Sequence, residues 1–186
     1  MIPIETLWLA LIAVFGIIGI VRGIWKELGV TTILFLSLFA LQLGWDKIVS
    51  KVAGSIPLNM SADTVKALYF IILVSIITFI SYEGFTLKFP AADLRGVAKG
   101  LVGLPAGFVN GYLVIGTVWD AVQGANYFDL KVWQGTIQKV AISTYLTDLH
   151  ATLVKYLPLT LMSEHSFILY GFLVLGMLLL LAIVLK

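Results

Sequence analysis

Only a handful of side chains in this chain have the chemistry to form a site. Asn110 is the one strongly polar side chain deep in the apolar stretch 101–119. A lone amide suits interhelical hydrogen bonding better than a substrate or ion contact, because intramembrane pathways are usually built from ionisable groups. Arg22 and Glu27, in "RGIWKELG", form the best charged cluster. Five residues apart they are poor partners on one helix, and Lys26 cannot face Glu27. Two roles fit them: a positive anchor with Trp25 at headgroup level, or a docking point where Glu27 meets Arg95 or Lys99. His150 and His165 are the two histidines. They are too few to bring several ligands to one metal or haem iron, so surface or interfacial positions are expected for both. Ser143, Asp148 and His150 have triad residue types, but all three would crowd one short helix with no oxyanion donors. "GVAKGLVG" lacks the Gly-Lys-Ser/Thr ending of a phosphate loop. Zero cysteines exclude disulfides and thiolate chemistry. No catalytic, metal or cofactor site is therefore expected.

The elements that must position these residues are membrane spans. The chain is 60% apolar and 12% charged over its 186 residues, with a mean hydropathy of +1.05. Soluble domains have about half and about a quarter respectively. A net charge of +2 with scattered basic residues gives no footing for nucleic acid. Spans need about 20 mostly apolar residues, and five stretches approach or meet that: 4–21, 28–45, 67–82, 101–119 and 166–185. The third is short and borrows from Val65 or the turn after it. The last has no charge and reads as the most lipid-exposed. The first has no basic n-region or small-residue cleavage site, so it reads as an uncleaved span rather than a signal peptide. The fold class is all-α, a polytopic bundle with a four-span core over 1–158 and an additional C-terminal span over 159–186.

The connectors differ in character. Residues 22–29 allow a tight interfacial turn. Residues 46–66 contain Pro57 and Asn59 at a break, and Ser61 as N-cap of the third span; the Asn-Met-Ser pattern at Asn59 is best explained by chance. In the longest connector Ile142, Leu146, Leu149, Leu153 and Leu157 recur at helical spacing. They predict an amphipathic helix over 142–157, with Ser143 as N-cap and Pro158 as stop. Its apolar face should rest partly on the bundle and partly on lipid. Lys and Arg counts tie between the two faces. The two arginines and the shortest loop lie on one of them, which predicts N-terminus out and C-terminus in.

The fourth span contains "GLVGLPAGFVNG". Glycine costs a soluble helix about 1 kcal/mol relative to alanine and proline about 3, so packing must compensate. Gly96, Gly100, Gly103, Gly107 and Gly111 fall within an arc of about 80°. Residues this small let helix backbones approach where lipid supplies no hydrophobic drive. Pro105 lies on the opposite side. Span one is the expected partner, since Ala13, Gly16, Gly19 and Gly23 share a face. Span two offers Ser37, Ala40 and Gly44, and span three Ser75, Thr78 and Tyr82. Asn110, at the edge of the groove, should bond Ser37, Ser75 or Thr78 at about 1 kcal/mol or less. Gly171 and Gly176, five apart, give the last span little packing face.

Arg22, Gly23, Lys26, Glu27 and Leu28 after the first span, with Gly103, Gly107 and Gly111 in a late one, resemble the colicin V production protein family. Asp120, Trp133 and the helix ending at Leu157 are similar to the segment that follows in that family, so the resemblance covers about residues 4–158. Family members often carry a basic residue where this chain has Asn110, and the family core has four spans where this chain has five. The resemblance implies a bacterial inner-membrane protein serving bacteriocin export or envelope homeostasis, with no agreed biochemical activity.

Three functions are open on these grounds. One is a non-enzymatic envelope protein acting through the bilayer, a homo-oligomer or other membrane subunits. Another is an accessory subunit of a larger complex, docking through the last span and residues 127–157. The third, a small transporter or channel subunit, is disfavoured because no carboxylate is expected inside a span beyond its ends.

Overall fold

A computed structural model describes residues 4–53, 61–83, 97–125 and 144–185. Among these residues the chain is all helix: α1 (Ile4–Arg22), α2 (Ile24–Ala53), α3 (Ala62–Glu83), α4 (Val97–Gly124), α5 (Thr144–Lys155), α6 (Pro158–Glu164) and α7 (Ser166–Val184). Five of them, α1 to α4 and α7, are long and apolar enough to cross a membrane. The protein is a multi-pass membrane helical bundle.

Helix boundaries follow local chemistry. Arg22 ends α1, a favourable place for a cation beside the negative end of the helix. Gly23 adopts φ 82° and hands the chain directly to α2 at Ile24. The expected turn over 22–29 therefore shrinks to one residue, and Trp25, Lys26 and Glu27 belong to the first turn of α2. An L side chain in this left-handed conformation costs about 1–2 kcal/mol. Gly23→Ala should accordingly lower the thermal midpoint of the detergent-solubilised protein by a few degrees, which differential scanning fluorimetry would read. Ser61 does cap α3: its Oγ accepts the Thr64 N–H at 3.2 Å. Span three borrows backwards as far as Asp63.

α1 packs chiefly on α4, and the two run antiparallel. Gly19 faces Gly103 and Gly107, Phe15 faces Gly111, and Trp8 stacks on Trp119. No side chain fits between the two backbones. A Cβ on Gly19 would strike the Gly103 carbonyl oxygen, one on Gly103 the Gly19 carbonyl oxygen, and one on Gly107 the Phe15 carbonyl oxygen. A Cβ on Gly16 would lie 3.0 Å from the Phe108 ring, and one on Gly100 3.0 Å from the Ile20 side chain. Pro105 is exposed on the other side of α4, and Gly96 lies outside the described residues.

α4 also builds the core with α2: Val30, Leu34 and Leu38 pack against Leu113 and Val114, closed by Met162 of α6. α6 was not foreseen. Pro158 opens it as the first helical residue instead of merely ending the amphipathic helix. It seats where Gly116 leaves space, its Cδ 2.8 Å from where a Cβ would stand. α7 leans on α2 through Phe35 and Phe172, with ring centroids 4.6 Å apart. Gly176 supplies a packing face after all, its Cβ position lying 2.8 Å from Leu36 Cδ2. It is the one buried residue of α7; Ile168, Leu169 and Phe172 are partly buried against the core, and the outward face is open to lipid.

Candidate functional site

The bundle places its most unusual polar cluster where α1, α2, α3 and α4 converge, at the end of the bundle carrying Arg22. Glu27, 0% exposed, is the centre of this cluster. Arg22 Nε donates to its Oε1 at 2.9 Å. Tyr82 OH donates to Oε2 at 3.0 Å, and Asn110 Nδ2 to the same oxygen at 2.8 Å. The Asn110 amide also donates to the Glu27 carbonyl at 3.1 Å. The Thr31 hydroxyl proton faces both that carbonyl, at 2.9 Å, and Asn110 Oδ1, at 2.7 Å. Arg22 completes the ring: Nη1 donates to the Tyr82 carbonyl at 2.9 Å, and its guanidinium carbon lies 4.7 Å from the centroid of the Tyr82 ring.

These contacts revise the expectations site by site. Arg22 and Glu27 do pair despite their spacing, because Gly23 breaks the helix and folds the end of α1 over the first turn of α2. Glu27 meets Arg22; Arg95 and the Lys99 side chain, the other expected partners, lie outside the described residues. Asn110 bonds Glu27 and Thr31 rather than the small-polar stripes of spans two and three. Ser37 is half-buried, Ser75 is exposed, and the Thr78 hydroxyl is buried without a hydrogen-bond partner. The carboxylate thought to sit in a connector is fully buried in a membrane helix. Tyr82 and Thr31 were missed as site residues. By spacing Tyr82 belongs only to a packing stripe, and Thr31, four residues after Glu27, is the legible signal that the same face of α2 continues polar.

A buried charge in a membrane protein needs a partner and filled hydrogen-bonding capacity, and Glu27 has both. Its position in the first turn of α2 adds the favourable end of the helix dipole. Arg22 Nη2 is the exception, buried with no hydrogen-bond partner. The guanidinium side chain is 20% exposed, so the ion pair reaches the edge of the bundle at one point.

A second polar cluster ties the other end. Trp8 and Trp119 stack with centroids 5.0 Å apart and planes 5° from parallel. The His150 ring lies 5.7 Å from Trp119, and His150 Nδ1 lies 2.7 Å from Glu5 Oε1. Asp120 accepts the Thr160 N–H at 2.7 Å and the Thr160 hydroxyl at 3.1 Å. Tyr112 OH donates to the Tyr156 carbonyl. His150 is thus an anchoring residue of the bundle, where a free interfacial histidine was expected; Glu5 was missed as its partner. His165 is exposed at the junction of α6 and α7. Ser143 lies outside the described residues. No group of three or more His, Cys, Asp or Glu fit to hold a metal ion occurs among the described residues.

Compared with protein-family models, curated proteins and solved structures, the chain matches none.

Proposed function

We propose that this chain is a non-enzymatic inner-membrane protein of the colicin V production type, acting in the cell envelope through helix packing and membrane partners. The closed network around Glu27 is the observation that carries this reading. Three donors occupy the carboxylate, which is 0% exposed. Such a group holds four helices in one arrangement and offers no accessible atom to a substrate. The close α1–α4 seam serves the same end. The apolar outer surface of α7, with Phe167, Val174 and Leu178 exposed, is available to lipid or to another subunit. In this reading the Arg22 end faces the cytoplasm, with Arg22 and Lys26 on the side where basic residues accumulate.

Purification in a gentle detergent followed by mass measurement tests the proposal. Stoichiometric co-purification with other membrane proteins, or a defined homo-oligomer, is the expected result; a catalytic turnover that depends on Glu27 or Asn110 would overturn it. Co-purification with a fixed set of partners selects the accessory-subunit form of the reading.

The buried Arg22–Glu27 pair also supports an alternative, since ionisable residues inside a membrane often mark ion paths. A small transporter or channel subunit would give ion flux in proteoliposomes that Asn110→Leu abolishes. On the scaffold reading, Asn110→Leu leaves flux at background and lowers thermal stability, because Glu27 Oε2 loses a donor.

A further inference from the structure

At the Glu5 end, α5 and α6 are held very differently. α6 is locked in: Pro158 and Met162 are buried, and Asp120 accepts two hydrogen bonds from Thr160. α5 rests on the bundle through Leu153 and Val154, which pack on the Trp8–Trp119 pair, and through the His150–Glu5 contact at 2.7 Å. Tyr156 and Leu157 join the two helices, and the backbone at Leu157 is extended, with φ −71° and ψ 147°. Tyr112 OH holds the Tyr156 carbonyl, which makes this joint the fixed point for any movement of α5 relative to α6.

The charge carried by this contact depends on a proton. Glu5 is 4% exposed, and a carboxylate so withdrawn from water is stabilised by a cation. His150 is a cation only when protonated, and histidine is the side chain that ordinarily changes charge between pH 5 and 8. Among the described residues no other charge near the contact replaces it. Asp120 of α4, beside Trp119, is engaged by Thr160 of α6; Lys155, on α5 itself, is exposed.

We propose that α5 is a proton-operated strap. Protonated His150 pins it to Glu5 as an ion pair and closes it over the indole pair; neutral His150 keeps a hydrogen bond to the carboxylate but no ion pair, and α5 swings away towards the bilayer surface, its amphipathic face suited to lipid. The sign is set by the charge. Docking is favoured as pH falls through the histidine range and is lost as pH rises through it. This device is independent of the scaffold reading, which rests on the Glu27 cluster at the other end.

The chain has no cysteine, so spin labels can be placed at Thr6→Cys on α1 and Ala151→Cys on α5, both exposed positions. Dipolar distance distributions of the full-length protein in lipid nanodiscs would be recorded at pH 5 and pH 8. The ratio of docked to released populations should be about fivefold larger at pH 5, the effect of a charge pair near 1 kcal/mol. His150→Lys, a cation throughout this range, should stay docked at both pH values, and Glu5→Gln should lose the pH response. Identical distributions at pH 5 and 8 in the parent, or a pH response retained in Glu5→Gln, would overturn the proposal. If Glu5→Gln fails to fold, a pH response persisting in His150→Lys overturns it equally.

Discussion

Glu27→Ala should lower the thermal midpoint of the detergent-solubilised protein by about 10 °C, the largest loss expected from any single side-chain truncation in the bundle. Removing one partner of a buried ion pair costs about 3–5 kcal/mol, and a domain of this length loses about 2–4 °C per kcal/mol. The loss is large because of what is left behind. Arg22 Nε, Tyr82 OH and Asn110 Nδ2 all donate to this one carboxylate, and without it the Arg22 guanidinium keeps, among the described residues, only the Tyr82 carbonyl and ring. The cost therefore falls mainly on an uncompensated cation. That reasoning makes a sharper prediction for the double variant. Arg22→Leu combined with Glu27→Ala should recover part of the lost stability relative to Glu27→Ala alone, because both charges are then gone. A double-mutant cycle over the four proteins reads the coupling directly. Purely additive losses would show that the two side chains touch without stabilising one another.

Gly107→Leu should prevent the native bundle from assembling, while Gly171→Leu should be accepted with a change within about 0.5 kcal/mol. At Gly107 an added Cβ meets the Phe15 carbonyl oxygen and lies 3.0 Å from Gly19 Cα and 3.1 Å from Gly16 Cα. These are backbone atoms of α1 and cannot turn aside. Overpacking a core costs about 1–3 kcal/mol where side chains can move, and here a whole helix must retreat, surrendering the α1–α4 interface. At Gly171 no heavy atom lies within 4 Å of the Cβ position. Gly176→Leu should fall between the two, because its nearest neighbours are Leu36 Cδ2 at 2.8 Å and Cγ at 2.9 Å, the tip of a flexible side chain. Size-exclusion profiles and thermal midpoints of the three variants in one detergent give the ranking. Equal behaviour of Gly107→Leu and Gly171→Leu would remove the basis for the close α1–α4 approach.

The membrane spans were legible because lipid imposes a simple composition rule, and five apolar stretches satisfied it. Their ends were less so. α2 continues to Ala53, well beyond the apolar residues, because a helix may run on into the headgroup region once hydrophobicity no longer governs it. The short α6 was hidden since Pro158 reads equally as the stop of one helix or the first residue of the next. Within the candidate site, Arg22, Glu27 and Asn110 stood out by type, as charges and an amide in an apolar chain. Their mutual pairing did not, for it needs a left-handed Gly23 to bring residues five apart together and the α2–α4 packing to bring Asn110 to Glu27.

What the sequence by itself determined is the solvent this chain folds in, the number and approximate place of its spans, and the small-residue face of the fourth. Those follow from composition and period, which are properties of each segment alone. The tertiary structure alone decided which polar groups share a site. Glu27 lies 83 residues from Asn110 and 55 from Tyr82, and Glu5 lies 145 from His150. No local pattern relates residues so far apart. Their partners are chosen by the requirement that every charge withdrawn into the bundle find a counterpart on whichever helix the packing brings alongside.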